Sequence, residues 1–315
     1  MKKKYINIFS KIMLVVSIIY IALKIKKNIN IFELFSNTNF VIIFILMCIV
    51  YTFLVLCISV PWKLLVSLLC EKNISNVSAL YVYCKSNLFK YAPGNFMHYI
   101  GRNQLSAIEN ISMASLNIAT VFEIGLLSLS SVIVALIFNM KYALSWISSN
   151  IRIFGIAIVF AIIVFVLIFL LRSKISGKIK YKLSHYKSLI FNCNFIKKAI
   201  ICIIIYSLFF IFNGIMLCIL FKIQSVNLHG YYFKCIGMYS LSWLAGYITP
   251  GVPGGIGIRE AMMTVLFESN VVSETIVSTM LIFRIINIIG DVFAYILLAL
   301  IYRITNDKRK DIGKQ

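Results

Sequence analysis

Two short stretches of this sequence combine helix-breaking residues with a cation: PGNFMHYIGR at 93–102 and PGVPGGIGIR at 250–259. Both read Pro-Gly, seven residues, Arg, and a tyrosine precedes each, Tyr91 and Tyr247. Proline removes a backbone donor and glycine relaxes helical geometry, so Pro93, Gly94, Pro250, Gly251, Pro253, Gly254, Gly255 and Gly257 mark interruptions. An interrupted helix leaves N–H and C=O groups without helical partners and presents a new N-terminus worth about half a positive charge. In the second stretch a helix restarts as IGIREAMMTVLFES, which puts Arg259 in or near its first turn. A cation there is unfavourable by roughly 0.3–1 kcal/mol, so an anion belongs opposite it. Two anions qualify: the neighbouring Glu260, and the phosphate of a lipid, which a helix N-terminus and a guanidinium bind together. Arg102 stands at the same offset in the first stretch with no acid before Glu109, which favours phosphate for both arginines. His98, inside the first stretch, has three readings: contact with the same headgroup, a proton relay, or a histidine held by ordinary hydrogen bonds.

Further charges fall inside oily runs. Glu123 lies in NIATVFEIGLLSLSSVIVALIF, and Arg284 and Asp291 lie in TIVSTMLIFRIINIIGDVFAYILLALIY. A charge near the bilayer centre costs roughly 2.5–3.5 kcal/mol on insertion scales, which makes each a functional candidate. Arg284, Asn287 and Asp291 recur at i, i+3 and i+7, one helical face, and that face should look into the bundle. Arg284 and Asp291 are about 10 Å apart along the axis, too far for a direct pair. Glu123 is therefore the expected partner of Arg284, either in a switchable polar core with Asp291 or in an ion pair that fixes helix register.

The elements that must carry these residues are membrane helices. The chain of 315 residues is 61% hydrophobic and 13% charged, with a mean hydropathy of +0.95, outside the range of soluble domains. Runs such as FVIIFILMCIVYTFLVLCISV are continuous where a β-barrel strand would alternate, so the expected fold is an all-α polytopic bundle. Six full spans are expected, at 9–25, 40–60, 117–138, 153–171, 199–221 and 274–302, and MKKK with its apolar run is read as an uncleaved first span. Regions 76–112 and 231–270 are semi-apolar, each broken by Pro-Gly, and each is expected to be re-entrant or to cross in two pieces.

The expected organisation is a first membrane half over 1–171 with the 91–102 element, a basic cytoplasmic loop over 172–198, a second half over 199–303 with the 247–260 element, and a cytoplasmic tail over 304–315. Placing both termini in the cytoplasm assigns 19 Lys and Arg to the inside and seven to the outside. The two Pro-Gly regions then open to opposite faces, which makes the halves an inverted repeat.

The net charge of +21 is spread over the connections between spans, so it reads as a topology and anionic-lipid signal and not as a nucleic-acid face. Eight cysteines without CxxC spacing read as small buried hydrophobes, and Trp62, Trp146 and Trp243 as interfacial residues near span ends. No P-loop, GxSxG or HExxH motif is present, and no metal or cofactor is implied. These absences exclude a dedicated ATPase but not a membrane-embedded transferase acting on a lipid-linked substrate.

PGGIGIRE at 253–260, YAPGNFMHYIGR at 91–102, the span bearing Glu123, and Arg284 together resemble the lysylphosphatidylglycerol synthase transmembrane, or flippase-like, family over about residues 9–302. The resemblance implies a cell-membrane protein that moves or presents lipids, such as aminoacylated phosphatidylglycerol or polyprenyl-linked glycans, between leaflets. It carries a functional role onto Pro93, Gly94, Arg102, Glu123, Pro253, Gly254, Gly255, Gly257, Arg259, Glu260 and Arg284. Many relatives have Gly-Gly-Asp ahead of the first arginine, where this chain has Tyr99, Ile100 and Gly101 after His98, and Arg after the span glutamate, where it has Ile124. With 13 residues after position 302, a soluble aminoacyl-transferase half is not expected. The leading expectation is a flippase or lipid-transport protein in which Arg102 and Arg259 grip one phosphate from opposite sides. The alternatives are a lipid-linked transferase and a scaffold of a glycan or lipid assembly complex. The expected partners are a membrane phospholipid or polyprenyl-linked lipid and the glycosyltransferase or aminoacyl-lipid synthase that makes it, with oligomerisation left open.

Overall fold

The computed structural model of the chain describes residues 34–70, 74–91, 97–107, 111–149, 192–224, 226, 228, 230–249, 253–267 and 271–312. Among them every regular element is helical: α1 (Thr38–Leu69), α2 (Asn76–Asn87), α3 (Met97–Ala107), α4 (Met113–Ser149), α5 (Cys193–Ile223), α6 (Tyr232–Ile248), α7 (Ile258–Phe267) and α8 (Ser273–Ile312). Two 3-10 turns, Leu88–Tyr91 and Pro253–Gly255, stand at the breaks. The helices α1 and α5, residues Met113–Met140 of α4 and Ser273–Thr305 of α8 are long and apolar enough to cross a membrane. They coincide with the spans expected at 40–60, 117–138, 199–221 and 274–302. The spans expected at 9–25 and 153–171 lie outside the described residues, as does most of the basic connection, whose end with Lys197 and Lys198 is already helical in α5.

The outer surface of these helices is apolar: Phe53, Val121 and Val265 are each more than 60% exposed. Such a surface belongs against hydrocarbon, because soluble proteins do not leave large contiguous apolar patches in water. Polar starts are capped locally, and in the same way at two corresponding places. Asn37 before α1 accepts the N–H of Asn39 at 2.9 Å, and Asn192 before α5 accepts the N–H of Asn194 at 2.9 Å.

The helix contacts follow a pattern that survives exchange of α1–α4 with α5–α8. The first described span of each set of four helices packs on the last of the other set, α1 on α8 and α5 on α4. The longer broken piece does the same, α2 on α8 and α6 on α4. Within each half the pieces pack in sequence, α2 on α3 and α3 on α4, α6 on α7 and α7 on α8. The exchanged helices α1 and α5 run antiparallel, since Tyr51 lies beside Phe209 with ring centroids 6.4 Å apart while Cys202 Sγ lies 3.8 Å from the Pro61 carbonyl.

The expectation of interfacial tryptophans is corrected at Trp62, which is fully buried with the Arg102 guanidinium 5.5 Å above its ring, and at Trp243, which faces the interior cavity described below. An arginine held at depth needs an electron-rich ring more than the interface needs these indoles. The Trp146 side chain lies outside the described residues. The cysteines divide: five are buried as expected, Cys57 and Cys70 are half-buried and Cys193 is exposed. In α4 the helix breaks at Asn139 (φ −132°, ψ 34°), whose amide leaves the helix to donate to the Lys234 carbonyl at 3.0 Å.

The second break is built on glycine for two separate reasons. Gly254, Gly255 and Gly257 have φ of 57°, 69° and 87°, the left-handed region that side-chain-bearing residues avoid. Gly255 also rests on α6, where an added Cβ would stand 2.7 Å from the Gly246 Cα, whereas one on Gly257 meets nothing within 4 Å. Gly257→Ala should therefore cost about 1–2 kcal/mol of backbone strain, and Gly255→Ala should cost visibly more. Thermal midpoints in detergent check this; equal losses would mean that the α6 contact is not what the glycine serves.

Candidate functional site

The face of α8 carrying Arg284, Asn287 and Asp291 is buried, as its spacing requires. Asp291 accepts hydrogen bonds from the Asn87 amide at 2.8 Å and from the Tyr91 hydroxyl, and pairs with Lys90 Nζ at 2.7 Å. All three partners belong to the end of α2 and the turn after it, so one carboxylate holds the terminus of the first broken helix. About 10 Å away along α8, by 1.5 Å rise per residue, Arg284 serves the second break. It donates to the carbonyls of Gly255 at 2.9 Å and Gly254 at 3.4 Å, and its Nε lies 2.6 Å from Glu260 Oε1. These carbonyls lost their helical donors to the Pro-Gly-Gly turn, and lipid could not replace them.

Glu260 completes the arrangement. Its Oε2 accepts the Gly257 N–H at 2.6 Å, and the Gly257 carbonyl accepts the first helical bond of α7 from Ala261 at 3.0 Å. This is the glutamate half of a capping box, the third helical residue reaching back to the cap. Glu260 is thereby turned toward Arg284 and away from Arg259, its neighbour in sequence.

The expected partnership of Glu123 with Arg284 is corrected. Arg102 Nη1 lies 2.6 and 2.7 Å from the two oxygens of Glu123, both residues are 1% exposed, and Arg102 Nε donates to Ser86 Oγ at 3.1 Å. The guanidinium also sits 3.9 Å above the Tyr83 ring. The physical reason is proximity: α3 packs on α4 and α7 packs on α8, so Glu123 and Glu260 each meet the arginine on the helix packed against their own.

The two 3-10 turns pack on each other, and the Tyr99 and Tyr247 hydroxyls are hydrogen-bonded across the same junction. Beside it lies a cavity of about 90 Å³. Its polar wall is made by Asn87, Lys90, His98, Arg102, Arg259, Arg284 and Asn287, with the hydroxyl-bearing rings of Tyr51, Tyr83, Tyr91, Tyr99, Tyr239 and Tyr247. Among the described residues no carboxylate is part of that wall. Glu123, Glu260 and Asp291 stand behind it, each against one cation: Arg102, Arg284 and Lys90.

Of the four Lys and Arg on this wall, Arg259 is the one without a carboxylate among the described residues. Its guanidinium lies 5.6 Å from the Trp243 ring centre, and its buried Nε has no hydrogen-bond partner. Asn287 Oδ1 is likewise buried without a donor. His98 is buried with its ring 3.9 Å from that of Tyr99. The structure thus brings Arg102, His98, Arg259, Arg284 and Asn287 to one cavity and places Pro253, Gly254, Gly255 and Gly257 in its second turn; Pro93, Gly94, Pro250 and Gly251 lie outside the described residues.

Lys90, Asn87 and the cavity tyrosines Tyr51, Tyr83 and Tyr239 are missing from the sequence reading, whereas Tyr91 and Tyr247 stand in the repeated pattern with no role assigned. A signal for Lys90 existed, since it is one of five Lys and Arg that fall in neither the inside nor the outside connections, with Lys85, Arg102, Arg259 and Arg284. Tyr51, Tyr83 and Tyr239 carried no comparable signal in a chain with 17 tyrosines.

A family model described as Lysylphosphatidylglycerol synthase TM region matches residues 8–294. Comparison with curated proteins finds no match.

The pairing can be checked by double-mutant cycles on detergent unfolding. Arg102→Gln and Glu123→Gln should each cost about 3–5 kcal/mol, because each strands a buried charge, and together less than their sum. Glu123→Gln with Arg284→Gln should be additive; strong coupling between 123 and 284 would overturn the assignment.

Proposed function

The chain belongs to the lysylphosphatidylglycerol synthase TM region family, and on that premise we propose that it moves an anionic lipid between leaflets, with the lipid phosphate held at Arg259. The observation that carries the reading is the charge of the cavity: four cations on the wall, three carboxylates behind it, and Arg259 without one. A guanidinium withdrawn from water is costly until an anion meets it, and a phosphate offers oxygens that match its planar donors. Arg259 lies in the first turn of α7, so backbone dipole and side chain favour the same anion.

This reading changes the part given to Arg102. With its guanidinium on Glu123 and Tyr83, it shapes the wall and lends positive field, and His98 is a polar member of the same wall, while Arg259 makes the direct contact. Lys90, whose side chain is 24% exposed, is the next cation able to turn toward a bound headgroup.

The exchangeable packing and the antiparallel course of α1 and α5 support an inverted repeat, with α2–α3 and α6–α7 as re-entrant pairs dipping in from opposite faces. The cavity then lies where the two pairs meet, and transport follows if opening to one face or the other changes the affinity for the lipid. The excess of Lys and Arg in the connections assigned to the inside supports a cell membrane with both termini cytoplasmic. A lipid-modifying enzyme or glycosyltransferase would supply the cargo.

Purified protein in vesicles containing fluorescent phosphatidylglycerol, with the outer leaflet quenched chemically, tests this. Wild type should equilibrate the label between leaflets, Arg259→Gln should slow it at least tenfold, and Arg259→Lys should keep part of the rate. Arg259→Gln should also keep its thermal midpoint, because no ion pair is broken. Wild-type transport by Arg259→Gln would end the reading.

A further inference from the structure

Taking that phosphate site as its basis, we infer that the cavity accepts an unmodified anionic phosphodiester headgroup and excludes the aminoacylated, cationic phospholipid named in the family's description. A lysyl ester adds two ammonium groups to a headgroup with one phosphate charge, and turns it from a net anion into a net cation. A site for it must supply groups that stabilise ammonium: carboxylates, aromatic faces or free carbonyl oxygens. Among the described residues, the carboxylates around this cavity, several of its aromatic faces and the carbonyls freed by the second break are already engaged by cations of the protein; the amide oxygen left over, Asn287 Oδ1, carries no charge to set against an ammonium.

The carboxylates are the clearest case. Glu123, Glu260 and Asp291 lie 2.6, 2.6 and 2.7 Å from Arg102, Arg284 and Lys90, and none reaches the cavity wall. The aromatic faces follow. Arg102 sits over Tyr83 at 3.9 Å, Lys90 over Tyr91 at 5.3 Å and Tyr51 at 5.9 Å, and Arg259 over Trp243 at 5.6 Å, on which Tyr247 also stacks at 4.5 Å. The carbonyls freed by the second break, Gly254 and Gly255, accept from Arg284. Among the described residues, an ammonium entering here meets Arg259 and Lys90 with no carboxylate to spare.

A phosphodiester fits the same inventory. Its single negative charge balances Arg259, and Asn287 Oδ1, buried without a donor, can accept from a headgroup hydroxyl. The tyrosine hydroxyls of the wall suit a polyol such as glycerol in the same way.

Vesicles carrying phosphatidylglycerol or lysylphosphatidylglycerol with the same acyl-chain fluorophore separate the possibilities. Phosphatidylglycerol should move at least tenfold faster than its lysyl ester, with Arg259 required. Equal or faster movement of the lysyl ester, still lost in Arg259→Gln, would overturn the inference and leave the phosphate site standing; movement of neither lipid would overturn both. Asn287→Asp adds the missing carboxylate to the wall and should shift the ratio of rates toward the lysyl ester. An unchanged ratio in that variant, with both lipids still moving, counts against the inference.

Discussion

Everything in this interior depends on the hydrogen-bonding debt of two broken helices in a medium that cannot settle it. Water would satisfy the freed N–H and C=O groups; hydrocarbon does not, and each left bare costs several kcal/mol, on the order of 4–8 against an apolar solvent. The structure answers with one face of one helix. Arg284 takes the backbone carbonyls of the second break, and Asp291 holds three side chains at the end of the first broken helix, so α8 ties both breaks together. Arg284, one of the charges that make α8 costly to insert, is the group that satisfies the carbonyls of the second break.

The two halves resolve the same problem differently, and the difference gives the cavity its charge. In the first half the element's own arginine, Arg102, is enclosed by Glu123, Ser86 and Tyr83. In the second half the carboxylate, Glu260, sits on the element itself and turns to Arg284 because its other oxygen caps the restarting helix at Gly257. Arg259 is displaced from the partner that sequence adjacency offers. Had the two sets of four helices matched in charge as they do in packing, no cation of the wall would be left unbalanced.

Much of this was legible in the sequence, and the limits have physical causes. Apolar run length read out four spans, and the i, i+3, i+7 spacing of Arg284, Asn287 and Asp291 read out a buried face, because both properties are local to one helix. Pairing is not local. Depth in the membrane made Glu123 and Arg284 look suited to each other, but which acid meets which base is set by the helix that packs closest, and hydropathy carries no such information. Glu260 was recognised as a first-turn acid; that its reach back to Gly257 would commit it to Arg284 required the φ of three glycines. Trp62 was misread for a related reason: its position near the end of a predicted span said nothing of an arginine buried above it.

The bond between Asn87 and Asp291 joins residues 204 positions apart. During synthesis at roughly 5–20 residues per second, the end of the first broken helix therefore waits about 10–40 seconds for its carboxylate. The cross-packing of α2 on α8 lengthens the same dependence, because neither the helix nor its polar terminus has its final neighbour until the last span is inserted. Biogenesis of this protein thus calls for a sheltered, wet or chaperoned berth for the early half, and truncation anywhere before the final span would leave a polar wound open to the lipid.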